Sequence, residues 1–175
     1  MTKPTLLGTI AVLVLTGCTP SPTSTPSASP TPSNIASTPS LSADQQALED
    51  AKARVVEMWQ VVDKVLSDKN VPITSSLAPI LGDQALDTAQ TTAGVNRSRG
   101  IVSTGSTIVE IKGAVTQGTS WIVTACVDRS GTSMVDTKTG KPVQVPPPRL
   151  MHTYTVQRPA DGYLRIVTDK LGDTC

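Results

Sequence analysis

The 175-residue chain has no phenylalanine, one histidine, two tryptophans and two tyrosines. A core without Phe must be filled by Val, Ile, Leu and Ala, with Trp59, Trp121, Tyr154 and Tyr163 as its aromatic bulk. A lone histidine, no CxxC pair and no carboxylates at ligand spacing give no reason to expect a metal site, and no cofactor is expected either. A Ser-His-Asp site would have to use His152, but there is no GxSxG element to present the serine. Charge of either sign is not in excess, with 15 Lys and Arg against 14 Asp and Glu. That balance argues against a nucleic-acid partner and against polybasic contact with anionic lipid. Long apolar runs are missing too, since a bilayer core needs roughly 20 consecutive residues.

The longest apolar stretch runs from Leu6 to Leu15, about ten residues preceded by the single charge Lys3. A short positive region followed by a short apolar region is a secretory signal rather than a fold element. Leu15-Thr16-Gly17-Cys18 closes it. This tetrad resembles the bacterial lipobox, with an aliphatic residue at −3, small residues at −2 and −1, and cysteine at +1. The resemblance implies that a diacylglyceryl group is attached to the Cys18 sulfur and that cleavage falls between Gly17 and Cys18. Two or three acyl chains would anchor the mature protein durably, at about 0.8 kcal/mol per buried methylene. The expected location is the outer face of the cytoplasmic membrane, with the N-terminal lipid as membrane partner. The competing reading is an ordinary secretory signal with a chance cysteine near its end.

Three segments follow: a signal peptide at 1–17, a lipidated cysteine and tether at 18–42, and a globular domain at 43–175. The tether contains six prolines after Cys18, no charge, and only Ile35 and Leu41 as large aliphatics. Such a composition cannot offset its ordering entropy by burial, which predicts disorder and a reach of roughly 70 Å if fully extended. Its Ser/Thr-Pro content is compatible with O-glycosylation. One of the 15 basic residues, Lys3, lies in the leader, so the mature chain has 14 basic and 14 acidic residues.

Within the domain, Ser42 followed by Gln45 forms a capping box. Leu48, Val55, Met58 or Trp59, Val62, Val65 and Leu66 then recur at helical spacing to about residue 67. A weaker helical region covers about 75–91, broken by Pro79 and Gly82. Strands are predicted at 106–116 (Val109, Ile111 and Val115 on one face, a bulge or bend at Gly113), 121–127, 150–158 and 163–169. The last two form a hairpin across Pro159-Ala160-Asp161-Gly162. Between the middle strands, Lys138-Thr139-Gly140 predicts a turn in a solvated hairpin tip (136–141), followed by a loop stiffened at Pro146–Pro148. Asn96, Arg97 and Arg99 read as a small basic loop before the first strand, which either pairs with acidic groups or only keeps the loop soluble, the second being favoured. The fold class is α+β: a long N-terminal helix plus short helices packed on a curved antiparallel sheet of about four strands.

This order, with Trp59 on the long helix, the strand WIVTACVD (Trp121–Asp128), the VDTKTGKPV hairpin (Val135–Val143) and the terminal Cys175, resembles the cone-shaped nuclear transport factor 2-like proteins, particularly extracytoplasmic relatives in actinobacteria. That family includes isomerases and hydratases with an Asp, His or Tyr in the cone, and many members with no catalytic role.

With Cys18 taken by lipid, Cys126 and Cys175 remain as an even pair in an oxidising compartment, which favours a disulfide over a reactive thiol. His152 shares a strand side with Leu150 and Tyr154. If that side faces the cone, His152, Tyr154, Asp128, Trp121 and Trp59 line a pocket. His152 is otherwise a partly exposed strand residue, and Asp128 a strand end accepting backbone N–H bonds. Three functions compete. The first is an envelope lipoprotein whose non-catalytic domain binds a small apolar ligand or a protein partner. The second is a phage- or prophage-encoded lipoprotein that excludes related phages at the envelope. The third is an isomerase- or hydratase-type enzyme using His152 and Asp128 for acid–base work.

Overall fold

A computed structural model of the chain describes residues 41–143 and 148–175. The signal segment, Cys18, all of the tether except Leu41 and Ser42, and the first two prolines of 146–148 lie outside the described residues. The described residues belong to one compact unit.

Helix α1 (Ala43–Ser67) starts where Ser42 supplies both halves of a capping box: its Oγ accepts from Gln45 N at 3.2 Å, and its own N donates to Gln45 Oε1 at 2.9 Å. Ala51, Val55, Met58, Trp59 and Val65 are its buried positions, a stripe at three- and four-residue spacing that sets which face meets the sheet. The far end of α1 is closed by Arg97, whose Nη2 donates to the carbonyls of Val65 (3.1 Å), Asp68 (3.3 Å) and Val71. Arg97 is therefore not part of a solubilising loop. Asn96–Arg99 form the last turn of α3 (Asp83–Arg99), where cationic side chains complement the helix dipole. Between them lies the single turn α2 (Ile73–Leu77). Gly100, in the left-handed region at φ 73°, ends α3.

Six strands follow: β1 (Ile101–Thr104), β2 (Ile108–Gln117), β3 (Ser120–Asp128), β4 (Ser133–Asp136), β5 (Arg149–Gln157) and β6 (Arg165–Leu171). The fold is α+β, with helices packed on antiparallel sheets. The four-stranded sheet has the order β2-β3-β5-β6, and β1 pairs with β4 in a separate two-stranded sheet. Nothing in the sequence signals β1, whereas β4 overlaps the first arm of the hairpin expected at Val135–Val143, with Val135 bridging Pro142. Gly105, just after β1, has φ 87°, and a Cβ there would sit 2.1 Å from the Gly131 carbonyl oxygen, so only glycine fits this approach. Asp63 on α1 fixes the entry to β2 by accepting from Thr107 N (2.6 Å) and Thr107 Oγ1 (2.8 Å).

Two register shifts decide which residues face the helices. In β2, Ile111 pairs with Ala125 but Gly113 pairs with Thr124, leaving Lys112 as the extra residue. Val109 and Ile111 pack on the core. Beyond the bulge Ala114 takes the inward position and Val115 turns outward, 60% exposed. That corrects the expectation of Val109, Ile111 and Val115 on one face. In β6 the shift falls between Thr155 and Val156 of the partner strand: Ile166 pairs with Val156, Thr168 with Thr155 and Asp169 with Tyr154, so Val167 is the extra residue. The start of β6 is covered on its free side by residues 80–82, through Ile166 N to Ile80 O (2.9 Å) and Gly82 N to Ile166 O (3.0 Å).

The core is aliphatic apart from Trp59 and Tyr154, with Trp121 packed at its margin. Tyr163 does not contribute: it lies before β6 at the end of the hairpin and is 66% exposed. Cys126 and Cys175 are bonded, with Cα atoms 5.9 Å apart. After β6 the chain runs on along β5, with Gly172 N donating to Met151 O and Met151 N to Asp173 O, both at 2.8 Å. Cys175 then crosses β5 to reach β3. Among the described residues no helix is long and apolar enough to cross a membrane.

Candidate functional site

Helices α1 and α3 flank a cleft of about 200 Å³ whose floor is β6. Its existence follows from side-chain size. The wall from α1 is large and apolar (Met58, Trp59, Val62, Leu66), whereas α3 contributes Ala85, Thr88, Ala89 and Thr92. Small residues at helical spacing leave the space between the helices unfilled, and close packing is not reached there. The floor holds Ile166 and Leu171, and the polar groups on the wall include Asp169 and Arg129.

Behind the cleft lies a buried polar-aromatic cluster. Trp59 Nε1 donates to Tyr154 Oη at 2.8 Å. His152 stacks on Tyr154, with centroids 5.6 Å apart and planes 14° apart, and meets Trp59 edge-on at 5.6 Å. His152 Nδ1 donates to Asp169 Oδ1 at 2.8 Å, which fixes the orientation of the ring. Burial, followed by the Asp169 charge, pushes the Tyr154 phenol far above its ordinary value, with the Trp59 hydrogen bond opposing. The phenol therefore stays protonated.

Of the five residues expected in a pocket, the structure gathers Trp59, His152 and Tyr154. Trp59 lines the cleft, while His152 and Tyr154 lie outside its lining. His152 is buried, 6% exposed, rather than partly exposed. Trp121 pairs with Val156 at the other end of β3 and carries Arg158 over its ring at 6.0 Å.

Asp128 is corrected. Ala125 is the partner of His152 and Asp128 the partner of Arg149. Three residues along an alternating strand put Asp128 on the opposite face of the sheet from His152. There it accepts from Ser130 N at 2.8 Å and approaches Arg149 Nε at 3.5 Å. Hydrogen bonds from the Ser130 side chain and backbone, with a smaller contribution from Arg149, hold its carboxyl below the usual range. His152 and Asp128 do not converge, so acid–base work by that pair is removed.

The carboxylate that does meet His152 is Asp169, which the sequence does not single out. Counted without interruption from Ile166, Asp169 falls on the outer face. The extra residue Val167 returns it to the inner one. Arg129, one residue past β3, was likewise not singled out. Its guanidinium lies over the Trp59 ring at 5.8 Å, and its backbone N–H donates to Pro148 O at 2.6 Å.

No protein-family model matches the chain, and no curated protein matches it. Solved structures do. The intermembrane space region of the chloroplast protein ARC6 is similar over 73% of this chain and 97% of that chain, at 14% identity and a TM-score of 0.60. The Kfla4162 protein from Kribbella flavida aligns over 73% of this chain and 93% of its own at 15% identity, with a TM-score of 0.44. At such identity the ARC6 likeness bears on the fold alone, helices packed on antiparallel sheet.

Proposed function

We propose that the chain is a bacterial lipoprotein, cut before Cys18 and held by its lipid on the outer face of the cytoplasmic membrane. There it presents a cone-like, nuclear transport factor 2-like domain that binds a small apolar ligand without transforming it. The observation that carries this reading is the cleft between α1 and α3, in which large apolar side chains of α1 face the alanines and threonines of α3. An apolar pocket with a few polar groups at one place is the ordinary form of a ligand site. The register shifts in β2 and β6 support a curved sheet under the helices. The Cys126–Cys175 bridge supports an oxidising compartment. Binding is favoured over chemistry because the Asp169 carboxylate on the cleft wall already accepts from His152, and the Tyr154 phenol is bonded to Trp59.

The test is expression of the full-length gene in an actinobacterial host fed labelled fatty acid. Label is expected on the wild-type protein in the membrane fraction, and an unlabelled Cys18→Ala variant in other fractions. Native mass spectrometry of the exported variant should then show an adduct that is lost on denaturation. An unlabelled wild-type protein would sink the lipoprotein reading. A clean mass that apolar probes leave unchanged would sink the ligand reading.

A further inference from the structure

Arg129 differs from the other arginines near the core. Arg97 donates to three carbonyls, Arg165 bonds Asp161 and Arg149 approaches Asp128. The Nε atoms of Arg97, Arg129 and Arg165 are all buried without a partner, but only the guanidinium of Arg129 among these three has neither an ion pair nor a hydrogen bond among the described residues. It is held over the indole of Trp59, and both side chains line the cleft. A guanidinium has five N–H donors and no acceptor, so what it lacks is an anion or a set of oxygens. A buried donor left without a partner is costly, and such a group at an apolar cleft is satisfied when a ligand supplies the acceptor.

We propose that the occupant of the cleft is a single-chain anionic amphiphile of the fatty-acid type, its carboxylate on Arg129 and its chain between Val62 and Leu66 of α1 and Ala85 and Ala89 of α3. This deepens the ligand-binding reading above and rests on it. The cleft volume of about 200 Å³ is below the roughly 300–1,000 Å³ of drug-sized sites, which selects one short chain over a diacyl lipid. The Asp169 carboxylate is on the same wall and repels an anion. Its Oδ1 is directed to His152, and Arg129 is the group with donors to spare.

The experiment uses the chain from Cys18 onward with Cys18→Ser, exported behind an ordinary secretory signal so that no lipid is attached. Tryptophan emission is titrated with decanoate, decanol and decyltrimethylammonium, each below its micelle concentration. Decanoate is expected to bind about tenfold or more tighter than decanol. Arg129→Gln should abolish that preference, and Arg129→Lys should retain most of it. Equal binding of decanoate and decanol, or an undiminished preference in Arg129→Gln, would overturn the head-group assignment and leave the apolar cleft standing. Tighter binding of the cationic amphiphile would move the head-group site to Asp169 and overturn the proposal. Binding of none of the three would remove the cleft reading with it.

Discussion

The Tyr154 hydroxyl oxygen accepts the indole N–H of Trp59 in the buried core, and that bond links α1 to β5. Tyr154→Phe keeps the ring and deletes the acceptor, leaving the indole N–H of Trp59 without one. The expected loss is about 1–3 kcal/mol of stability by urea denaturation. A pH effect accompanies it. Burial and the Asp169 charge raise the phenol above the 10.0 of a free tyrosine. Its contribution is therefore complete below that value and is lost as pH rises above it. Above about pH 10 the wild-type protein should lose stability more steeply than Tyr154→Phe. Parallel curves would mean that the phenol ionises freely in the folded chain.

At the scale of elements, Arg97 is the joint between α3 and the end of α1. Arg97→Ala removes a charged donor from three carbonyls and should cost about 2 kcal/mol. The exposed neighbour Arg99→Ala should change stability by about 0.5 kcal/mol or less. Equal effects of the two would show that general charge, rather than the cap, matters. Arg97 also marks where the sequence stopped being legible. Segments with a strong period of their own were readable: the stripe of α1, and the alternation of β3 and β5. Helix α3 was cut short because it buries only Ala85 and Ala93, so its last turn has no apolar rhythm to follow. Strands β1 and β4 are four residues each, and their pairing joins segments about thirty residues apart, as in Val102 with Val135. Such short ladders are set by tertiary context rather than by local pattern. In the site, Trp59, His152 and Tyr154 were identifiable because aromatics and histidine are rare in this chain. Asp169 was not, because one extra residue reverses the face of everything after it.

For the whole molecule, the bridge between Cys126 and Cys175 closes a separation of 49 residues. The chain-entropy estimate for such a loop is about 4 kcal/mol, a sizeable share of the roughly 5–15 kcal/mol that keeps a domain folded. Cys175→Ser, or reductant added to the wild-type protein, should lower the melting temperature by on the order of 10 °C or more. A variant insensitive to reductant and as stable as the oxidised protein would show that the cross-link does not stabilise the native state. The extra residue Val167 has a consequence of another kind, for descent. A lineage that keeps the His152–Asp169 contact can lengthen or shorten the tip between Gln157 and Arg165 freely. It cannot gain or lose a residue between Ile166 and Asp169 without turning the carboxylate to the wrong side. The contact would therefore survive in divergent relatives as a fixed spacing, an aliphatic residue followed three positions later by aspartate, even where the residues between them have all changed.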